Sequence, residues 1–262
     1  MLVNYATPHF AACRRVSSAA ALQIGGFDRV IEMSPTDLST DFRRRYAHHL
    51  RHPLGAGYWV WKPHVIERAL AGCGDDDCLF YCEAGVAFTA AADPLVALLR
   101  SSQTGVLTFA NHWLERQWTK RDAFEALGCA APAFTDSPQV VSGLSGWRRR
   151  RPEALDLLRE WLCLMAEERL VANGPSRSGP EHPSFREHRH DQSLFSVLCK
   201  RRGIDAYRAA PWRPPDPADA QPDYPVLARR NMNSAQALMR FAGQPGIPPA
   251  LCGRAAAMSH RA

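Results

Sequence analysis

Long apolar runs are missing from this chain. No stretch reaches the roughly 18–20 consecutive apolar residues that a bilayer-spanning helix requires, so no transmembrane helix is expected. The opening residues, MLVNYATPHF, carry no basic region followed by an apolar core. They are expected to begin the fold as a strand rather than to act as a signal peptide. Paired cysteines are missing too. Eight cysteines stand at positions 13, 73, 78, 82, 129, 163, 199 and 252. They are scattered, several lie in apolar segments, and none shows the CxxC spacing of a zinc site. Reduced thiols in a cytoplasmic protein are expected, not a disulfide framework. GxxxxGK[ST], GxGxxG and GxSxG are all absent, which sets aside P-loop ATPases, ordinary dinucleotide enzymes and α/β-hydrolases.

What is present is a soluble-globular composition, with 46% hydrophobic and 22% charged residues over 262 positions. That length suits one large domain, or one domain with an appendage, and supports a sizeable core. The net charge is +6, mostly from arginine, in the clusters Arg43–Arg45, Arg148–Arg151 and Lys200–Arg202. A basic balance favours phosphorylated small molecules, polyanions or anionic membrane surfaces. No helix-turn-helix, zinc finger or aromatic RNA-binding pattern accompanies the charge, so nucleic acid is not the expected partner.

Strand and helix signals alternate. Residues 2–7 read as a strand, 9–24 as a helix, and GGFDRVIEM as a turn into a second strand. Ser34 and Pro35 signal a helix start. A helix is expected from about Pro63, with Val65, Ile66, Ala69 and Leu70 on one face, stopping at Gly72–Gly74. LFYC reads as a short apolar strand that breaks at Glu83-Ala84-Gly85. A helix at 92–101 leads to a strand at 105–110. TKRDAFEALG is expected to be a helix capped by Thr119, and SPQVVSGLSGW a bent strand. Pro152 opens the clearest helix, with Leu155, Leu158, Trp161, Leu162 and Met165 at helical spacing. A polar loop over 172–190 precedes a helix at 191–202 and a short strand in GIDAYRAA. The alternation predicts an α/β fold with a mostly parallel sheet flanked by helices. Residues 1–210 form that domain, and 211–262 read as a Pro/Ala-rich, partly irregular C-terminal tail.

Three stretches carry candidate chemistry. Open α/β sheets bind ligands at the carboxyl ends of their strands, and LFYCEAG places Glu83 at such a tip. A carboxylate there suits a divalent ion shared with a diphosphate, or it merely begins a turn. GYWVWKP gathers Tyr58, Trp59, Trp61 and Lys62 ahead of a helix. The rings suit a stacking wall for a base or sugar, with a cation nearby for phosphate, or a hydrophobic staple. WTKRD, residues 118–122, is similar in character, with a capped helix start as the plainer alternative. EHRHDQ, residues 187–192, sets a carboxylate, an amide and two imidazoles at a helix head. Such groups bind sugar hydroxyls, phosphate or metal, or form an ordinary polar helix start.

Together GYWVWKPHVIERAL, LFYCEAG and EHRHDQSLFSVLCKRRG resemble a family of small bacterial glycosyltransferases of surface-polysaccharide synthesis. The family is GT-A-like, or Rossmann-like, and uses a nucleotide-sugar donor. Its pattern corresponds here to residues 57–63, 81–85, 119–122 and 188–193, and the resemblance covers about 1–210. It implies a UDP- or similar nucleotide-sugar donor and a glycan or lipid-linked acceptor. Tyr5, Thr7, Trp61, Lys62, Glu83, Ala84, Gly85, Trp118, Lys120, Arg121, Asp122, His188, Arg189 and His190 would bind substrate. Trp118 and Lys120 are expected along the acceptor cleft. Asp191 and Gln192 would form the reaction centre, with a lean toward retention; in an inverting enzyme Asp191 or Glu187 is instead the base. Glu83 would hold Mn²⁺ or Mg²⁺. It replaces the pattern's Asp, is one methylene longer and stands alone, so Lys62, Lys120, Arg121 or Arg189 are alternative partners for the leaving diphosphate. The expected location is cytoplasmic, with peripheral inner-membrane contact through exposed arginines. A non-catalytic nucleotide- or glycan-binding protein on the same fold is the alternative.

Overall fold

The computed structural model describes residues 1–208 and 225–228. Its strands are β1 (Leu2–Tyr5), β2 (Val30–Met33), β3 (Leu79–Cys82), β4 (Val86–Phe88), β5 (Val106–Leu114), β6 (Pro138–Trp147), β7 (Ala206–Arg208) and β8 (Val226–Ala228). The helices are α1 (Ala11–Gln23), α2 (Thr40–Arg45), α3 (Ala47–Leu50), α4 (Gly55–Tyr58), α5 (Trp61–Ala71) and α6 (Asp93–Ser101). They continue with α7 (Glu115–Trp118), α8 (Arg121–Leu127), α9 (Pro132–Thr135), α10 (Pro152–Met165), α11 (Glu168–Val171) and α12 (His190–Arg201).

Six strands form one sheet in the order β2-β1-β3-β6-β5-β7. β1 runs parallel to β2 and β3, and β5 parallel to β7. β6 alone runs against its neighbours β3 and β5. The sheet is therefore mostly parallel, as expected. β4 and β8 pair antiparallel in a separate two-stranded sheet.

β3 shows why a run such as LFYC must lie inside. All four residues are buried, and successive side chains point to opposite faces. Leu79 and Tyr81 join the core beneath α5, α10 and α12, while Phe80 and Cys82 join the core beneath α6. α10 begins with Pro152 at its first position, where the missing N–H costs no hydrogen bond. Its Leu157, Leu158, Trp161 and Met165 are buried together.

Four local expectations change. Ser34 donates its backbone N–H and its hydroxyl to Asp37 Oδ2, but around a 3₁₀ turn (Pro35–Asp37). The helix proper starts at Thr40, with Ser39 Oγ accepting the Phe42 N–H. Thr119 does not cap α8. Its hydroxyl donates to the Glu115 carboxylate, and Lys120 occupies the cap position. The strand expected at 105–110 runs on to Leu114, with register shifts where it pairs with β6. Residues 226–228 of the expected tail form β8; the rest of that tail and the 210/211 boundary lie outside the described residues.

The connection into α5 is the most constrained segment of the described backbone. Gly55, Ala56, Gly57, Tyr58 and Trp59 all have positive φ, at 60, 49, 101, 53 and 59°. Left-handed backbone is uncommon for residues with a Cβ, and such strain concentrates at functional sites. His190, at the head of α12, is also left-handed, with φ 48°. The two irregular segments meet: the His190 ring lies 5.5 Å from both the Tyr58 and the Trp59 rings.

Candidate active site

Three side chains from distant parts of the chain converge at the strand tips. Lys62 is the second residue of α5, Glu83 follows β3, and Asp191 is the second residue of α12. Lys62 Nζ donates to Glu83 Oε1 at 2.7 Å, to Asp191 Oδ2 at 2.5 Å and to Ser142 Oγ on β6 at 3.1 Å. These bonds use all three ammonium hydrogens. Ser142 Oγ donates in turn to Asp191 Oδ2 at 2.7 Å. Asp191 is held from behind, because its backbone carbonyl accepts the Trp161 indole N–H at 3.1 Å.

Burial and pairing oppose each other here. Lys62 is wholly buried, and burial acts against its charge. The Asp191 and Glu83 carboxylates outweigh that and hold its pKa above the ordinary lysine range. Asp191 stands above the ordinary carboxylate range, through burial first and Glu83 repulsion besides, with Lys62 partly offsetting both. The directions are compatible: two acids share one ammonium, so the triad holds one net negative charge when both ionise. Its open end is Glu83, whose side chain is 32% exposed against 7% for Asp191. The Lys62 ammonium also lies 5.6 Å from the Tyr81 ring centroid. Burial raises the Tyr81 hydroxyl well above its usual pKa, and its oxygen has no hydrogen-bond partner among the described residues.

Gln192 lies beside this triad. Its Oε1 accepts the Ser142 backbone N–H at 3.4 Å, and its Nε2 donates to Gln139 Oε1 at 2.6 Å. Glu83, Asp191 and Gln192 thus lie in one hydrogen-bonded cluster, joined through Lys62 and Ser142.

Other predicted residues lie elsewhere or are committed inside. Trp61 is buried with its ring stacked on Tyr5 at 3.8 Å, and its indole N–H bonds Gly55 O at 2.9 Å. It is a packing strut rather than an open stacking wall, and burial likewise raises the pKa of Tyr5. Thr7 precedes the 3₁₀ turn Pro8–Phe10 without a side-chain cap bond. Ala84 is buried, and the turn closes with Val86 N–H on Glu83 O; Gly85 lies between them.

Lys120 is buried and spends its ammonium on Arg169 O at 2.9 Å and Asp122 Oδ2 at 3.1 Å. Asp122 is buried and accepts the Arg177 and Ser178 backbone N–H groups and the Ser176 and Ser178 hydroxyls. Burial alone would raise its pKa, but these bonds and Lys120 hold it at about 2. The two residues clamp the loop after α11. Arg121 bonds Glu125 and Pro180 O.

His188 and His190 also pin backbone. His188 Nδ1 accepts Lys120 N–H at 3.1 Å, so Nε2 carries the proton to Leu170 O at 2.7 Å. Burial pushes its pKa down to about 3. His190 Nδ1 bonds Val171 O at 2.6 Å, and burial lowers its pKa as well. Arg189 lies 4.1 Å above the Trp118 ring, and Trp113 lies 5.0 Å from Trp118 on centroids. An open pocket of about 600 Å³ lined by Lys120, Glu168, Arg169, Asn173, Ser176 and Arg177 is not lined by any member of the triad. The convergent charges, not this pocket, define the candidate site. Ser142, Gln139 and Glu115 are not among the residues expected from sequence; they lie in a strand or a helix start whose pattern reports burial without chemistry.

The implied divalent ion does not find a cage here. Among the described residues, no group of three His, Cys, Asp or Glu side chains stands close enough to hold a metal ion. Glu83 and Asp191 each give one oxygen to the Lys62 ammonium, a cation already bridging them.

No protein-family model and no curated relative matches the sequence. The fold does have solved counterparts. The galactosyltransferase LgtC, crystallised with donor and acceptor sugar analogs, is 14% identical with a TM-score of 0.50, over 97% of this chain and 95% of its own. Mouse xyloside xylosyltransferase 1 is 12% identical with a TM-score of 0.49, over 87% of this chain and 97% of its own. The likeness to LgtC shows a shared GT-A-like fold.

Proposed function

We propose that the chain is a glycosyltransferase that moves a sugar from a nucleotide-sugar donor, probed first as UDP-sugars, to a hydroxyl of a glycan or lipid-linked acceptor. The observation that carries this reading is the meeting of Glu83 and Asp191, on separate elements, at the carboxyl tips of a GT-A-like sheet. That is where open α/β sheets hold their ligands. In the reaction, the bond from the anomeric carbon to the diphosphate oxygen breaks, and its electron pair leaves on the diphosphate. The acceptor oxygen bonds to the same carbon, and its proton passes to the departing diphosphate.

The triad is suited to the sugar. Carboxylates are acceptor-only groups that take hydroxyl hydrogens, and Glu83 presents its carboxylate at the open end. Lys62 fixes both acids, so little rearrangement remains when donor binds, which is the source of electrostatic preorganisation. Asp191 is enclosed and bonded to Lys62 and Ser142, which disfavours it as a free base and supports the lean toward retention.

The net charge of +6 supports work near an anionic surface, such as the cytoplasmic face of an inner membrane during surface-polysaccharide synthesis. Among the described residues, no helix is long and apolar enough to cross a membrane.

The test is turnover of a panel of UDP-, GDP- and CMP-sugars, with and without Mn²⁺. Asp191→Asn and Glu83→Ala are expected to lower transfer at least about a hundredfold while the circular-dichroism spectrum is kept. Full activity in both variants refutes the site. Donor binding with no turnover under any condition returns the non-catalytic alternative.

A further inference from the structure

Gln192 is held by a buried network that is separate from the Lys62 triad. Glu115, the first residue of α7, is fully buried. Its Oε1 receives the Lys200 ammonium at 2.6 Å and the Ser196 hydroxyl. Its Oε2 receives the Thr119 hydroxyl at 2.5 Å and lies 3.4 Å from Gln139 Nε2. Gln139, on β6, is also fully buried. Its Nε2 is 3.2 Å from Thr119 Oγ1 and 3.4 Å from Ser193 Oγ.

The direction of each bond follows from counting hydrogens. A hydroxyl has one hydrogen, and an ionised carboxylate has none. Glu115 forms an ion pair with the Lys200 ammonium. The Thr119 hydrogen goes to Glu115, and the Ser193 hydrogen goes to Trp118 O at 2.7 Å. All three groups facing this side of Gln139 therefore offer only lone pairs, and Gln139 must turn its NH₂ toward them. Its carbonyl oxygen then faces Gln192, which must answer with its own NH₂. That leaves the Gln192 carbonyl oxygen on the Ser142 N–H, beside Asp191. A flipped Gln192 would set oxygen against oxygen at Gln139 and N–H against N–H at Ser142. Amide orientation is ordinarily ambiguous; here it is dictated from one end.

We infer that Glu115, Gln139, Thr119 and Ser193 act as positioning residues, a relay of hydrogen-bond polarity that turns the Gln192 NH₂ toward Gln139 and sets its acceptor oxygen beside Ser142 and Asp191. This rests on the glycosyltransferase reading for its catalytic consequence but not for its geometry. The group it would meet is a donor, such as a sugar hydroxyl, or an electron-poor carbon.

The test reads the amide directly. In ¹⁵N-glutamine-labelled wild-type protein, the Gln192 side-chain NH₂ is assigned by its loss in Gln192→Glu, and its hydrogen bonded to Gln139 Oε1 is expected to exchange slowly with solvent. In Gln139→Met, which keeps size but removes polarity, that protection is lost. The kcat for transfer falls about tenfold with an unchanged donor KM, as for a group placed rather than bound. A Gln192 amide that exchanges freely in the wild-type protein overturns the relay, with no variant needed. So does a folded Gln139→Met that keeps both the protected amide and full kcat. If no donor is turned over at all, the functional reading fails, while the exchange measurement still decides the relay.

Discussion

Lys62 and Asp191, 129 positions apart, meet ammonium to carboxylate at 2.5 Å, and Glu83 shares the same nitrogen at 2.7 Å. This contact ties the start of α5, the tip of β3 and the head of α12 into one unit. It also makes each member's stability depend on the others.

Lys62→Met is expected to destabilise the protein by about 3–5 kcal/mol, because Asp191 is left buried and uncompensated. The double variant Lys62→Met/Asp191→Asn should recover most of that loss, since the orphaned charge is gone. Urea unfolding of the three proteins at neutral pH measures both effects. A single variant as stable as wild type would show that the bridge is not formed.

Acid sensitivity should begin near pH 6.5 and involve His188. Its folded pKa of about 3 lies below the ordinary 6.5, so the unfolded chain takes up a proton that the folded chain refuses. Stability contributed by the neutral ring is complete above 6.5 and declines as pH falls toward 3, by up to about 1.4 kcal/mol per pH unit. His188→Gln should reduce the slope of unfolding free energy between pH 6 and about 4.5 by roughly one proton. Equal slopes in the two proteins would contradict the buried neutral tautomer.

The Asp122 clamp acts at lower pH and on one loop. Its carboxyl is held at about 2 against an ordinary 3.8. Its contribution is present above pH 3.8 and is lost as pH falls through 2. Asp122→Ala is expected to cost about 3 kcal/mol and to open the segment around residues 176–178 to limited proteolysis at neutral pH. Unchanged cleavage kinetics would mean that other contacts hold the loop.

Ala56 offers a test with the opposite sign. Its left-handed backbone, φ 49° and ψ 51°, disfavours a Cβ by roughly 1–2 kcal/mol. Glycine's greater unfolded-state entropy returns part of that gain. Ala56→Gly should therefore stabilise by about 0.5–1 kcal/mol in thermal or urea unfolding. A destabilised variant would show that the methyl group packs usefully.

Much of the fold was legible because local rules and burial agree. Val65, Ile66, Ala69 and Leu70 marked the buried face of α5, and the apolar run LFYC marked a strand covered on both faces. The Pro152 helix start follows from the missing N–H alone. Legibility ended where a side chain's role depends on what faces it. Thr119 has the form of a cap, but a buried glutamate four residues earlier claims its hydrogen. His188 and His190 have the form of ligands, but their ring nitrogens bond the α11 backbone and Lys120 N–H.

The sequence alone set the alternation of strands and helices, because pattern and residue type are local properties, and its resemblance to a known family is what pointed to Glu83, Asp191 and Gln192. Only the tertiary structure decided that Lys62 is the cation joining the two acids, that Trp61 and His188 are struts, and that Gln139 and Glu115 stand behind Gln192. Those assignments depend on distances between groups far apart in the chain. Burying a charge or an amide is tolerable only when the folded chain brings its partner within hydrogen-bond reach.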